Sequence, residues 1–167
     1  MSLLRVVDDS GLVAPTMVVA FDAWVDAGSA STLAVGALID DESPIVAELD
    51  ADLLFDYRAR RPTLDILDGR PSNLNWPSLT IRRVRLGERD LLVFTGPEPD
   101  FRWRELAGDV VAFARSVELE QWISLGAIPA AVPHTRAGPL GLRASTWNSC
   151  SQSSLNSCWL STSSQRS

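Results

Sequence analysis

The residues that could do chemistry fall in three short segments. Asp22 and Asp26 lie in FDAWVDAG (21–28), just after an apolar run, where two carboxylates could share a proton or bind a cation. A structural role is favoured: Asp26 caps the next helix and Asp22 satisfies a turn. Glu98, Arg102 and Arg104 cluster in GPEPDFRWRE (96–105). Their guanidinium groups could grip a carboxylate or phosphate bidentately, with a helix N-terminus adding partial positive charge. The competing reading is an internal Glu98–arginine pair that fixes the loop, with Trp103 as packing. His134 is the sole histidine and stands in PHTR (133–136) beside Thr135 and Arg136. A general base there would need a nucleophile or an orienting carboxylate beside it, so a backbone hydrogen bond is the plainer role. Trp24, Trp76 and Trp103 occupy loop segments, where an exposed ring would mark a partner surface. Loop-on-loop packing is the blander reading and is favoured, while Trp122 begins a strand and reads as core.

Composition removes several chemistries. All 15 basic residues are arginine, and the net charge is −6. Without lysine there is no Schiff base, no phosphate-loop lysine and no lysine general base. An acidic chain without a basic stripe argues against a duplex nucleic-acid partner, whose affinity rests on phosphate neutralisation. Cys150 and Cys158 have seven residues between them and one histidine in the whole chain to join them, which matches no standard zinc site. Neither a metal nor a cofactor is expected. No apolar run is long enough for a bilayer, and MSLLRVVDDS lacks the basic start of a signal peptide, so a cytoplasmic location is expected.

The elements that must position these residues alternate. TMVVAF (16–21) reads as a buried strand, SASTLAVGALID (29–40) as a helix capped by Asp26 or Ser29, and PIVAELD (44–50) as a second strand. ADLLFDY (51–57) predicts a helical turn, and Pro62 starts an extended stretch. LTIRRVRL (79–86), GERD and LLVFTG (91–96) predict a hairpin. Asp100 is placed to cap a helix over about 101–118, whose Leu106, Val110, Phe113 and Val117 form an apolar stripe. WISLGAI (122–128) reads as another buried strand. This order predicts an α/β fold, a three-layer sandwich around a mostly parallel sheet. Functional loops of such a sheet gather at the C-terminal ends of its strands, here 22–28, 96–102 and 129–138.

Residues 1–143 read as one partial α/β domain, and residues 144–167 differ in kind. Ten of those 24 are serine, none is acidic, and both cysteines fall there. A regulatory serine-rich tail and a disordered linker are two readings. A third, translation out of frame, is preferred, because a shifted frame of GC-rich codons can restore the valine, leucine and glutamate content of the preceding chain. The sheet is therefore expected to be incomplete at its C-terminal end.

FDAWVDAG (21–28), LLVFTGPEPDFRWRE (91–105) and LGAIPAAVPHTR (125–136), with DYRARRP (56–62) and WP (76–77), resemble signature segments of the bacterial branch of the proteasome assembly chaperone 2 family. The resemblance covers most of residues 16–136. It implies a fold akin to purine nucleoside phosphorylases, and a chaperone or scaffold that binds a protein partner, a proteasome-related one included, or associates with itself. The alternative is a small-molecule enzyme of the nucleoside phosphorylase or hydrolase kind, built on Asp22, Glu98, Arg102 and His134. A carboxylate–amine ligase label, carried by some members, finds no support without lysine or a glycine-rich phosphate loop. GPLGLR (138–143) departs from the family pattern.

Overall fold

The computed structural model of the chain describes residues 2–129 and the backbone of residues 144–146. The expectations for His134, Arg136, Cys150, Cys158 and the rest of the serine-rich segment lie outside the described residues. The centre of the fold is β2 (Thr16–Asp22), whose residues are buried from Thr16 to Phe21. An unbroken apolar run of this kind suits a strand covered on both faces. β2 lies between β7 (Arg89–Pro97) and β8 (Gln121–Ser124) and runs parallel to both.

The remaining pairings reverse direction. β6 (Thr80–Leu86) joins β7 through the turn at Gly87, so the two are antiparallel. β3 (Ile45–Leu49) pairs antiparallel with β6, and β1 (Leu4–Val6) with β3. β9 (Ala144–Thr146) pairs antiparallel with β8. The sheet order is β1–β3–β6–β7–β2–β8–β9. The α/β class therefore holds, but the sheet is mixed and mainly antiparallel rather than mostly parallel. For β6 and β7 the cause is local: a tight hairpin can only give antiparallel neighbours, whereas parallel ones need a crossover. Among the described residues such a crossover links β7 to β8 through α3 (Trp103–Ser116), and β2 fills the gap between them.

Side-chain alternation along β2 sets the layers. Val18 and Ala20 meet Val93 and, from α1 (Ala30–Gly36), Val35. Met17, Val19 and Phe21 face the other way, with Leu92, Phe94 and Trp122. That second face is covered by Leu106, Val110, Phe113 and Ala114 of α3, and by Leu54 at the end of α2 (Ala51–Leu54). Phe21 and Phe94 meet edge to face, ring centroids 5.1 Å apart. α1 and α3 thus stand on opposite faces of one sheet, the expected three layers. Both are shorter than their sequence patterns suggested, and so is β8.

β4 (Thr63–Leu67) and β5 (Arg70–Asn75) form a separate two-stranded ribbon. Its turn, Asp68–Gly69, has positive φ at both residues (52° and 74°). Asp-Gly is the pairing that such a two-residue turn demands.

A polar anchor sits where β7 begins. Asp90 is fully buried, and its carboxylate accepts from Arg83 Nε (2.9 Å), Arg85 Nη1 (3.1 Å) and the Val13 amide (2.7 Å). Arg83 also donates to the Ser10 and Gly11 carbonyls, so the pair straps residues 10–13 across the hairpin. Burial pushes the Asp90 carboxyl up, but hydrogen bonds from Arg83, Val13 and Arg85 outweigh it and hold the group below the usual carboxylate value. A depressed folded-state value means stability that is complete above about pH 4 and lost as pH falls through that value. Asp90→Asn should therefore cost about 3 kcal/mol at neutral pH, since it leaves two arginines without their anion. In thermal melts from pH 7 to acid, the wild type should lose stability more steeply than Asp90→Asn.

Candidate functional site

Because β2, β7 and β8 run parallel, their C-terminal ends open on one edge, and the segments that follow them meet there. The Glu98 amide donates to the Asp22 carbonyl (3.1 Å). The Ala27 amide donates to the Ala127 carbonyl (2.9 Å), and the Ala127 amide returns to Val25 (2.6 Å). Residues 22–29, 96–102 and 125–129 are therefore one hydrogen-bonded rim. A fourth segment joins it: the Asp100 and Phe101 amides donate to the Leu54 carbonyl (2.9 and 3.1 Å).

Three rim positions have backbone conformations that the loops depend on. Gly96 has φ 145°, and a Cβ there would lie 2.3 Å from the Ser78 carbonyl oxygen. A side chain at 96 would force β7 away from residues 78–79 just where the loop departs. Ser29 and Arg102 are both left-handed (φ 53° and 58°) immediately before α1 and α3. Non-glycine residues hold such φ values only when the surroundings over-determine them.

The structure separates the two aspartates. Asp26 is buried, and its carboxylate accepts from the Ser31 amide (2.7 Å), the Ser31 hydroxyl and the Thr32 hydroxyl (2.5 Å). Burial raises this carboxyl, but the Ser31 and Thr32 hydrogen bonds outweigh it and hold it low. This is the helix-capping role expected from sequence, performed from three residues before the left-handed Ser29. Asp22 is exposed at the strand end and gives the rim its carbonyl. Among the described residues, no group of three or more His, Cys, Asp or Glu side chains is arranged to hold a metal ion.

The arginine cluster also differs from expectation. Arg102 forms its ion pair with Glu105, one turn into α3, rather than with Glu98. Glu105 stands in the first turn of α3, within reach of Arg102 at the helix N-cap position. Arg104 is exposed and Glu98 half-buried. Asp100 does not cap α3. Its carboxylate accepts from the Asp56 amide (2.9 Å) and Arg60 Nε (3.3 Å), tying the foot of the ribbon to the rim.

The tryptophans divide cleanly. Trp122 is core, as expected. Trp103 opens α3 and packs against the core cluster. Trp76 is half exposed and meets Tyr57 edge-on, centroids 4.9 Å apart. The Tyr57 hydroxyl donates to Asp52 (2.6 Å), which with burial pushes its pKa up to about 12. Trp24 is 71% exposed, so loop packing does not hide it. Two further rim residues, Phe101 and Ile128, are about half exposed. Neither was singled out by residue in the sequence, although both lie inside quoted segments, Phe101 in 96–105 and Ile128 in 125–136.

The fold and rim define a class: a three-layer α/β protein that presents apolar side chains on a hydrogen-bonded loop edge. A sequence model of the PAC2 family matches residues 20–159, and the chain belongs to that family. It is similar to the solved structure of a PAC2 family protein from Streptomyces avermitilis, with 38% identity over 73% of this chain and 53% of that one (TM-score 0.63). A protein of unknown function from Corynebacterium glutamicum shares 33% identity over 79% of this chain and 49% of its own (TM-score 0.67). A proteasome-assembly chaperone homologue from Mycobacterium tuberculosis shares 32% over 72% and 52% (TM-score 0.65). The chain thus spans about half the length of these structures. No curated protein matches it. Among the described residues, no helix is long and apolar enough to cross a membrane.

If Asp26 holds the rim through α1, Asp26→Ala should lower stability by about 2 kcal/mol, the upper range for a lost helix cap. Asp22→Ala should cost less than about 0.5 kcal/mol, as exposed positions do. Urea titration of both variants checks the difference, and equal losses would contradict it.

Proposed function

We propose that the chain is a non-enzymatic, chaperone-like or scaffold protein of the cytoplasm that docks a protein partner on this rim. One observation supports the reading above the rest. Trp24 stays 71% exposed on a loop whose backbone is fixed on both sides by hydrogen bonds. Exposed aromatic rings on rigid backbone are what binding hot spots are made from, because little conformational entropy is lost on docking. Phe101 and Ile128 extend the apolar surface along the same edge. Arg104, exposed and charged, supplies a polar border. The family and the chaperone homologue among the similar structures support a chaperone-like role, and a proteasome-related protein is the first partner to try. In this reading Asp22, Trp24, Glu98, Arg102 and Arg104 are contact residues. Asp26 and Trp103 hold the surface in place, and His134 and Arg136 are candidate contacts from the sequence alone.

A photo-crosslinking phenylalanine analogue placed at position 24 should form a discrete adduct with one protein. The same group at Leu86, which is exposed on β6 away from the rim, should not. Trp24→Ala should abolish co-purification of that protein without shifting the melting temperature. A saturable thermal shift with a nucleoside, nucleotide or phosphate, lost in Arg102→Ala, would instead support a small-molecule enzyme.

A further inference from the structure

The rim carries charge as well as apolar side chains, and most of that charge is spent within the chain. Asp26 is taken up by Ser31 and Thr32, Asp100 by Arg60, and Arg102 by Glu105. Asp22 and Glu98 are left over. Asp22 is exposed and Glu98 half-buried, and neither carboxylate has an ion pair among the described residues. The Glu98 amide donates to the Asp22 carbonyl, so the two acids sit on neighbouring loops at one point of the rim. Trp24, 71% exposed, stands two residues beyond Asp22. Arg104, which is also exposed, lies in the first turn of α3 rather than on these loops. Carboxylates without a counter-charge beside an open indole ring are complementary to guanidinium groups, which pair with the former and stack on the latter.

We infer that the rim takes a basic segment of its protein partner, whose arginines stack on Trp24 and pair with Asp22 and Glu98. The inference rests on the rim being the docking surface, and it names the chemistry of what docks there. The charge of the whole chain acts in the same direction. At −6 it draws a basic surface in and repels an acidic one. Phe101 and Ile128 then receive apolar side chains that flank the arginines. Arginine fits better than lysine, because its planar and weakly hydrated head stacks on an aromatic face.

The test uses two dye-labelled peptides that share an alternating leucine–serine framework and differ only in bearing arginines or glutamates. Each is titrated with the full chain by fluorescence anisotropy at physiological salt. The arginine peptide should bind saturably, and the glutamate peptide should not. Asp22→Asn with Glu98→Gln should weaken the arginine peptide about five- to twentyfold, the worth of two partly exposed ion pairs. Asp9→Asn with Glu88→Gln removes the same charge from exposed acids at the opposite end of the sheet, and should weaken it less than about twofold because salt screens that distance. Trp24→Leu keeps the position apolar but removes the ring, and should cost about three- to fivefold. The contrast between the two peptides on the wild type does not depend on how any variant folds. Binding of the glutamate peptide, equal losses from the two charge pairs, no loss in Trp24→Leu, or binding of neither peptide would each overturn the inference. A photo-adduct at position 24 that forms regardless of Asp22 and Glu98 would overturn it too, while leaving the rim as the docking surface.

Discussion

β2 is the strand on which the rest of the fold depends. It is buried on both faces and hydrogen-bonded on both edges to parallel neighbours. Burial of both faces requires a helix on each side, which α1 and α3 supply. The parallel register requires that β7 be followed by a crossover long enough to reach β8, and α3 is that crossover. The same register sends the chain out of β2, β7 and β8 on one edge. The rim is thus a consequence of how the core is built.

Two buried carboxylates stand at opposite ends of this strand trio and act alike. Asp90, where β7 begins, holds the segment that leads into β2. Asp26, beyond the end of β2, holds the loop that leaves it. Each is kept ionised by donors that outweigh its burial, three of them charged or backbone groups at Asp90 and two of them hydroxyls at Asp26. Arginine suits the first site, since the guanidinium of Arg83 reaches Asp90 and two backbone carbonyls at once. A compact ammonium on a flexible stem would reach fewer of them.

Much of this was legible in the residues. The run at 16–21, the hairpin at 79–96, the stripe through Leu106, Val110 and Phe113 and the burial of Trp122 all follow from periodicity. Asp26 was recognisable as a cap because it stands just before the helix expected from residue 29. Sheet direction was not legible, since alternating strands and helices do not say which strand neighbours which. The buried role of Asp90 was hidden because LTIRRVRL reads as a strand with solvent-facing arginines, and only the fold shows Arg83 and Arg85 turned onto a carboxylate. The ribbon was half visible: Pro62 marked its start, while the Asp68–Gly69 turn signal went unused. The pairing of Arg102 with Glu105 over Glu98 depends on where the helix begins, which sequence places only to within a turn.

The account rests on the rim being one fixed surface, and native-state amide exchange of Ala27, Glu98 and Ala127 tests that most directly. Their amides bridge different loops, so a preformed rim predicts protection approaching that of β2 itself. The Trp24 side chain should meanwhile remain open to a collisional quencher. Exchange of those three amides at the rate of an open loop would show that the segments move independently, and would contradict the account.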